Sequence, residues 1–195
     1  MTKILEKLYW ALGLSVVLAF VVHLYLHGKM IGDPNLMPTL HINIAIWLHV
    51  VSGILWIGLL WYFNMVQIPT MPKIPAELKP AIGKFIAPEA LFWFRWSALA
   101  TVVTGLLVAF LKGYLMSALT FQGNITIGIG MWLALIMAAN VWAIIWPNQK
   151  KVLGLVPADD AAKAKAARIA MLASRTNFVL SLPMLYCMVS QNIAG

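Results

Sequence analysis

The sequence predicts an all-α integral membrane protein, a bundle of about five transmembrane helices with a cytoplasmic amino terminus and an external carboxyl terminus. Three observations predict it. Of 195 residues, 62% are hydrophobic and only 10% charged, far from the roughly half-apolar, quarter-charged soluble average. Apolar stretches long enough to cross a hydrocarbon core roughly 30 Å thick recur along the whole chain. The lysines and arginines collect in alternate loops, the asymmetry that orients membrane proteins.

The first span is expected over about 8–28, behind Lys3 and Lys7. Its apolar run is too long for a signal peptide and carries no small-x-small cleavage site before His23, so a retained anchor is expected. Further spans are expected over about 43–67, 90–118, 125–146 and 177–193, and the whole chain, 1–195, reads as one membrane domain. Inside lipid the backbone must bond to itself, which makes these segments helices. Loop 68–89 contains Pro69, Pro72, Pro75, Pro80 and Pro88 and reads as a surface crossing, with room for a short interfacial helix. In loop 147–176, Asp159 and Asp160 precede Lys163, Lys165 and Arg168, an order that suits a helix dipole, so a water-exposed helix is expected to run on into the last span. Pro183 is expected to kink that span.

Eleven of the 14 cations flank one side: Lys3, Lys7, Lys73, Lys79, Lys84, Lys150, Lys151, Lys163, Lys165, Arg168 and Arg175. Only Lys29 and Lys112 flank the other, and Arg95 lies within a span. This places loops 68–89 and 147–176 in the cytoplasm, and tryptophans near both sets of helix ends, such as Trp146 and Trp47, fit the same frame. The net charge of +8 is spread between apolar spans, which points to membrane lipids as partners and not to nucleic acid. A single cysteine, Cys187, excludes an internal disulfide, a thiol zinc site and the CxxCH attachment of haem c.

Membrane helices associate where small residues let backbones approach. Such stripes recur every four residues: Ala11, Ser15 and Ala19; Ser97, Thr101, Gly105 and Ala109; Gly130, Ala134 and Ala138. The first continues into His23 and His27, and a fourth stripe reads His41, Ala45, His49, Gly53. All four histidines therefore lie on packing faces. His23 and His49 fall at a common depth of roughly 7–9 Å below the outer interface, at 1.5 Å per residue. Facing imidazoles on neighbouring helices suit the two axial positions of a haem b iron, which makes His49 and His23 the favoured pair. The same histidines also suit bonds to backbone carbonyls. A copper ion held by His27, His41, Met30 and Met37 is a further alternative.

A second polar layer is expected toward the cytoplasm from Asn64, Gln67, Arg95, Asn140, Asn148, Gln149, Arg175 and Asn177. Arg95 leads it, because a cation within a span costs at least ~2.5 kcal/mol unless it finds a partner or reaches water. Arg95, Asn64 and Asn140 are the candidate inner site, suited to an anionic planar substrate or haem propionates; snorkelling of Arg95 is the competing reading.

The run His49-Val50-Val51-Ser52-Gly53-Ile54-Leu55-Trp56-Ile57-Gly58, then Tyr62-Phe63-Asn64, Trp93-Phe94-Arg95-Trp96 with Thr104-Gly105, Trp146-Pro147-Asn148-Gln149, and Ser174-Arg175-Thr176-Asn177 with Leu182-Pro183 and Met188-Val189-Ser190 resemble the membrane domain of bacterial membrane-bound urate oxidases. The resemblance runs from about His41 to Asn192. It implies a multi-helix domain in the bacterial plasma (inner) membrane that, in longer relatives, oxidises urate and passes electrons to a fused cytochrome c. This sequence ends at Gly195, so a short form working with a separate cytochrome c or a larger redox complex is expected. It also has Thr176, Gln191 and Asn192 where the relatives carry histidines in the last helix. The His-x-x-x-Gly-x-x-Trp pattern also resembles helices of small membrane proteins with haem b or copper-linked roles, which favours His49 as a ligand. The expected function is a membrane redox protein with haem b, urate hydroxylation being its most specific form. The alternatives are a non-catalytic accessory subunit of a respiratory or oxidase complex, and a copper- or haem-handling protein.

Overall fold

The computed structural model describes residues 5–191, and every regular element among them is helical. Lys3, Asn192 and the last residue of the expected fifth span, Ile193, lie outside the described residues. Packing groups the chain into two compact units, Met1–Ile44 and Ala45–Gly195. The first contains α1 (Leu8–His27), a 3-10 turn at Gly28–Met30, and the start of α2 (Met37–Trp61). The second contains the rest of α2, then α3 (Ala87–Leu111), α4 (Leu115–Leu119), α5 (Ile125–Asn140), α6 (Trp146–Val152) and α7 (Asp160–Ser190).

Four continuous helical stretches are long and apolar enough to cross a membrane: Leu8–Met30, Met37–Lys73, Lys79–Leu111 and Ile125–Val152. The chain is a multi-pass membrane protein. α7 is not one of the four, because Asp160, Lys163, Lys165, Arg168 and Arg175 charge its first half and its buried face is made of small and polar residues such as Ala170, Ser174, Asn177 and Ser181. It begins as the charge order predicts: the Asp159 carboxylate accepts from the Ala162 N–H at 2.7 Å and Asp160 occupies the first turn. It then continues as one helix through Pro183.

Helix persists through prolines that the sequence reading treats as breaks. Pro69, Pro88 and Pro147 each follow a π-helical turn, at Tyr62–Gln67, Ile82–Ile86 and Val141–Ile145 respectively. A proline ring collides with the carbonyl four residues back and brings no N–H to the helix. Those carbonyls belong to Met65, Lys84 and Ala143, each inside the π turn, where wider spacing removes the conflict. The expected surface crossing 68–89 is therefore largely helical, and the fourth span extends to Val152.

The expected third span, 90–118, is instead broken at Lys112–Tyr114. Gly113 has φ +76°, its N–H reaches the Phe110 carbonyl at 3.0 Å, and the Tyr114 N–H reaches the Ala109 carbonyl at 3.1 Å. These two bonds form a Schellman cap, which asks for a left-handed residue in that position. α4 ends the same way around Phe121, at φ 58°: Phe121 N–H to Ala118 and Gln122 N–H to Ser117. The Trp132 indole adds a bond to the Leu119 carbonyl at 3.0 Å, and a Cβ on Gly128 would run into the Ala118 carbonyl oxygen. The α4 turn is thus fastened to α5.

Within the second unit the main core joins α2, α3, α5 and α7 through Trp56, Leu60, Phe63, Phe94, Ala98, Met137, Val141 and Met184. A smaller cluster of Ala109, Ala118, Ile127 and Met131 closes the end under α4. The stripe on α5 does serve packing: Ala134 and Ala138 are buried, and a Cβ on Gly130 would stand 2.9 Å from the Cys187 Cβ of α7.

Candidate functional site

His49 sits where two small-residue stripes meet. Gly53 of α2 faces Thr101 of α3, its Cβ position 3.8 Å from the threonine methyl, and the His49 ring lies on Gly105, its Cε1 2.8 Å from where a Cβ would stand. Pairing of 49 with 105 and 53 with 101 makes the two helices antiparallel. The hydroxyls of Ser97, Thr101 and Thr104 donate back to the carbonyls of Trp93, Ser97 and Ala100 at 2.6, 2.7 and 2.6 Å. The Thr101 carbonyl, however, accepts a bond from another helix: His49 Nδ1 donates to it at 3.0 Å, with Thr104 Oγ1 at 3.4 Å. A carbonyl only accepts, so Nδ1 holds the proton and Nε2 keeps the lone pair. Nε2 has no hydrogen-bond partner among the described residues. An Nδ1–H fixed on a backbone carbonyl is the outer-shell arrangement of a metal-ligating histidine.

Toward the other end of α2 the structure brings several of the expected amides together on one turn of α7. Asn64, 2% exposed, donates from Nδ2 to the Leu60 carbonyl and to Ser174 Oγ, both at 2.8 Å. Asn140 donates to the Ala173 carbonyl at 2.9 Å and to Asn177 Oδ1 at 2.8 Å, and fully buried Asn177 donates onward to the Met137 carbonyl at 3.0 Å. Fully buried Ser181 accepts from the Trp61 indole at 3.1 Å. Asn64 Oδ1, Asn140 Oδ1 and Gln67 Oε1 are buried without protein partners. Both ends of this network lie at π turns, Asn64 within the first and Asn140 just before the third. Ser174 and Ser181 are not among the site residues expected from the sequence. The spacing Ser174, Asn177, Ser181, steps of three and four, is the signal that marks them as one polar face.

Arg95 stands outside this network, as do exposed Arg175 and Asn148, whose Nδ2 returns to Ile144. The Arg95 guanidinium carbon lies 3.9 Å from the centroid of the Trp146 ring and 5.4 Å from that of Phe92, and NH1 donates to the Leu91 carbonyl at 3.3 Å. No carboxylate among the described residues comes within ion-pair distance of it. It borders an open pocket of about 400 Å³ with Pro88, Glu89, Phe92, Trp146, Leu153 and Leu155.

In the first unit, the His23 and His27 rings are one helical turn apart with centroids 5.2 Å from each other and planes at 31°. His27 Nδ1 is buried without a partner. His41 is exposed, and Met30 and Met37 are half-buried. Among the described residues, no three His, Cys, Asp or Glu side chains converge on a point that would hold a metal ion.

Residues 115–194 match the family model described as urate oxidase N-terminal. The match covers the Trp146-Pro147-Asn148-Gln149 and Ser174-Arg175-Thr176-Asn177 motifs; those around His49 and Arg95 precede it. No curated protein and no solved structure matches the chain.

Proposed function

We propose that the chain, whose residues 115–194 match the urate oxidase N-terminal family model, is a member of that family and a redox protein of the bacterial plasma membrane that binds haem b through His49. The observation that carries this reading is the His49 ring, anchored at Nδ1 on the Thr101 carbonyl and leaving Nε2 as a lone-pair donor beside Gly105. Neutral imidazole in that state is the form that ligates haem iron. When bound, the haem would supply one-electron chemistry; the chain's own part is to fix the tautomer and orientation of His49, whose ring lies in the space that glycine leaves at position 105. Asn64 and Asn140, whose Oδ1 atoms are buried without protein partners, are the inner polar site of this reading. A separate cytochrome c or a larger redox assembly is the electron partner, and urate is the most specific candidate substrate.

The purified protein, oxidised and then reduced with dithionite, should show a Soret band and a reduced α-band in the visible region. Absence of both removes the haem reading and leaves the non-catalytic accessory subunit and the copper-handling protein. His49→Ala should abolish the bands. Gly105→Ala should shift or weaken them, because the added methyl occupies the place of the ring edge. Single replacements of His23, His27 and His41, read the same way, identify the second axial ligand. Urate consumption with added cytochrome c tests the enzyme itself, and no consumption over a no-protein control rejects urate.

A further inference from the structure

We propose that the pocket beside Arg95 is a lipid site that selects a phosphoethanolamine headgroup. The pocket joins residues 88–95 of the Lys79–Leu111 stretch to Trp146 and to Leu153 and Leu155, just past the end of Ile125–Val152, and it is at such a helix end that a bilayer has its headgroups. It offers one cation, Arg95, and one carboxylate, Glu89, and the two are not ion-paired with each other. Arg95 spends one N–H on the Leu91 carbonyl and lays its face on Trp146, which fixes the guanidinium plane and leaves further N–H groups free. A planar guanidinium with unspent donors fits a phosphate. A plain anion would meet that cation and be repelled by Glu89, whereas a zwitterion meets both. The primary ammonium of phosphoethanolamine has the N–H donors that a carboxylate accepts; a choline lacks them. Phe92, Leu153 and Leu155 supply the apolar wall along which an acyl chain leaves. Lys150 and Lys151, which would favour an anionic lipid, do not line the pocket. The site is separate from the His49 haem reading and does not depend on it.

Protein stripped of lipid in mild detergent is offered equal amounts of phosphatidylethanolamine, phosphatidylglycerol and phosphatidylcholine with identical acyl chains, and retained lipid is read by native mass spectrometry. The wild type should retain phosphatidylethanolamine several-fold over the other two. Arg95→Gln should lose it, and Glu89→Gln, at an exposed position, should raise phosphatidylglycerol to the level of phosphatidylethanolamine. Millimolar inorganic phosphate should not displace the lipid; if it does, the site holds a free phosphate and the lipid assignment falls. Equal retention of the three lipids by the wild type, retention of none, or an unchanged preference in Glu89→Gln overturns the proposal. Should Arg95→Gln fail to fold, the Glu89→Gln arm decides alone. The haem spectrum is expected to be unchanged in Glu89→Gln, so failure of this site and failure of the haem reading are distinguishable.

Discussion

Asn177→Asp should destabilise the protein by about 3–5 kcal/mol at neutral pH, the range for a buried charge without a compensating partner. The substitution is isosteric and exchanges only an NH2 for an oxygen, so packing is unchanged. Asn177 is fully buried, accepts from Asn140 and donates to the Met137 carbonyl. A carboxylate keeps the first bond and turns the second into a contact between two acceptors. Low pH should restore part of the loss, because a protonated carboxyl donates to Met137 again. Thermal unfolding in detergent across pH is the measurement. Asn148→Asp, whose amide only returns to its own helix, should stay within about 0.5 kcal/mol of the wild type. Equal losses at the two positions would show that the amide network is not what holds α5 to α7.

The second large effect is expected at Gly128→Ala. Alanine normally stabilises a helix by about 1 kcal/mol over glycine, but here the new methyl meets a carbonyl oxygen of the backbone, Ala118, and not the end of a flexible side chain. Because α4 is held by its own cap and by the Trp132 indole, it has little freedom to withdraw, and a net loss of about 1–3 kcal/mol is expected. Gly58→Ala is the matched control: nothing lies within 4 Å of its added carbon, so it should gain about 0.5–1 kcal/mol. If both variants move Tm in the same direction, the close approach of α4 to α5 is wrong.

These two sites show what the sequence carries and where it stops. Hydropathy locates the four apolar spans, and steps of four residues locate the α2–α3 and α5–α7 faces, because close backbone approach restricts residue size more than any other property does. The amides Asn64, Asn140 and Asn177, grouped by depth in the sequence, meet at one turn of α7. Arg95 does not join them, because depth says nothing of azimuth: it follows Phe94, which faces the core at 1% exposure, and one step of about 100° carries the guanidinium around to Trp146. The break at Gly113 is also invisible to hydropathy, since 90–118 is apolar almost throughout and the deciding feature is a single left-handed residue. α7 shows the opposite failure. It is central to the packing of the second unit, yet its inward face is serine, asparagine and alanine, so an apolarity scale ranks it below the four apolar stretches.

Each π turn ahead of a proline holds one residue more than an α turn needs, and one residue is about 100° of rotation. The segments after Gln67, Ile86 and Ile145 are therefore out of phase with the helices that lead into them. Deleting one residue from 141–145 together with Pro147→Ala would let a regular α-helix form, and it would swing Trp146, Lys150 and Lys151 around the axis by that angle. The number of residues in these short stretches, more than their identity, sets which way the helical segment beyond each of them faces.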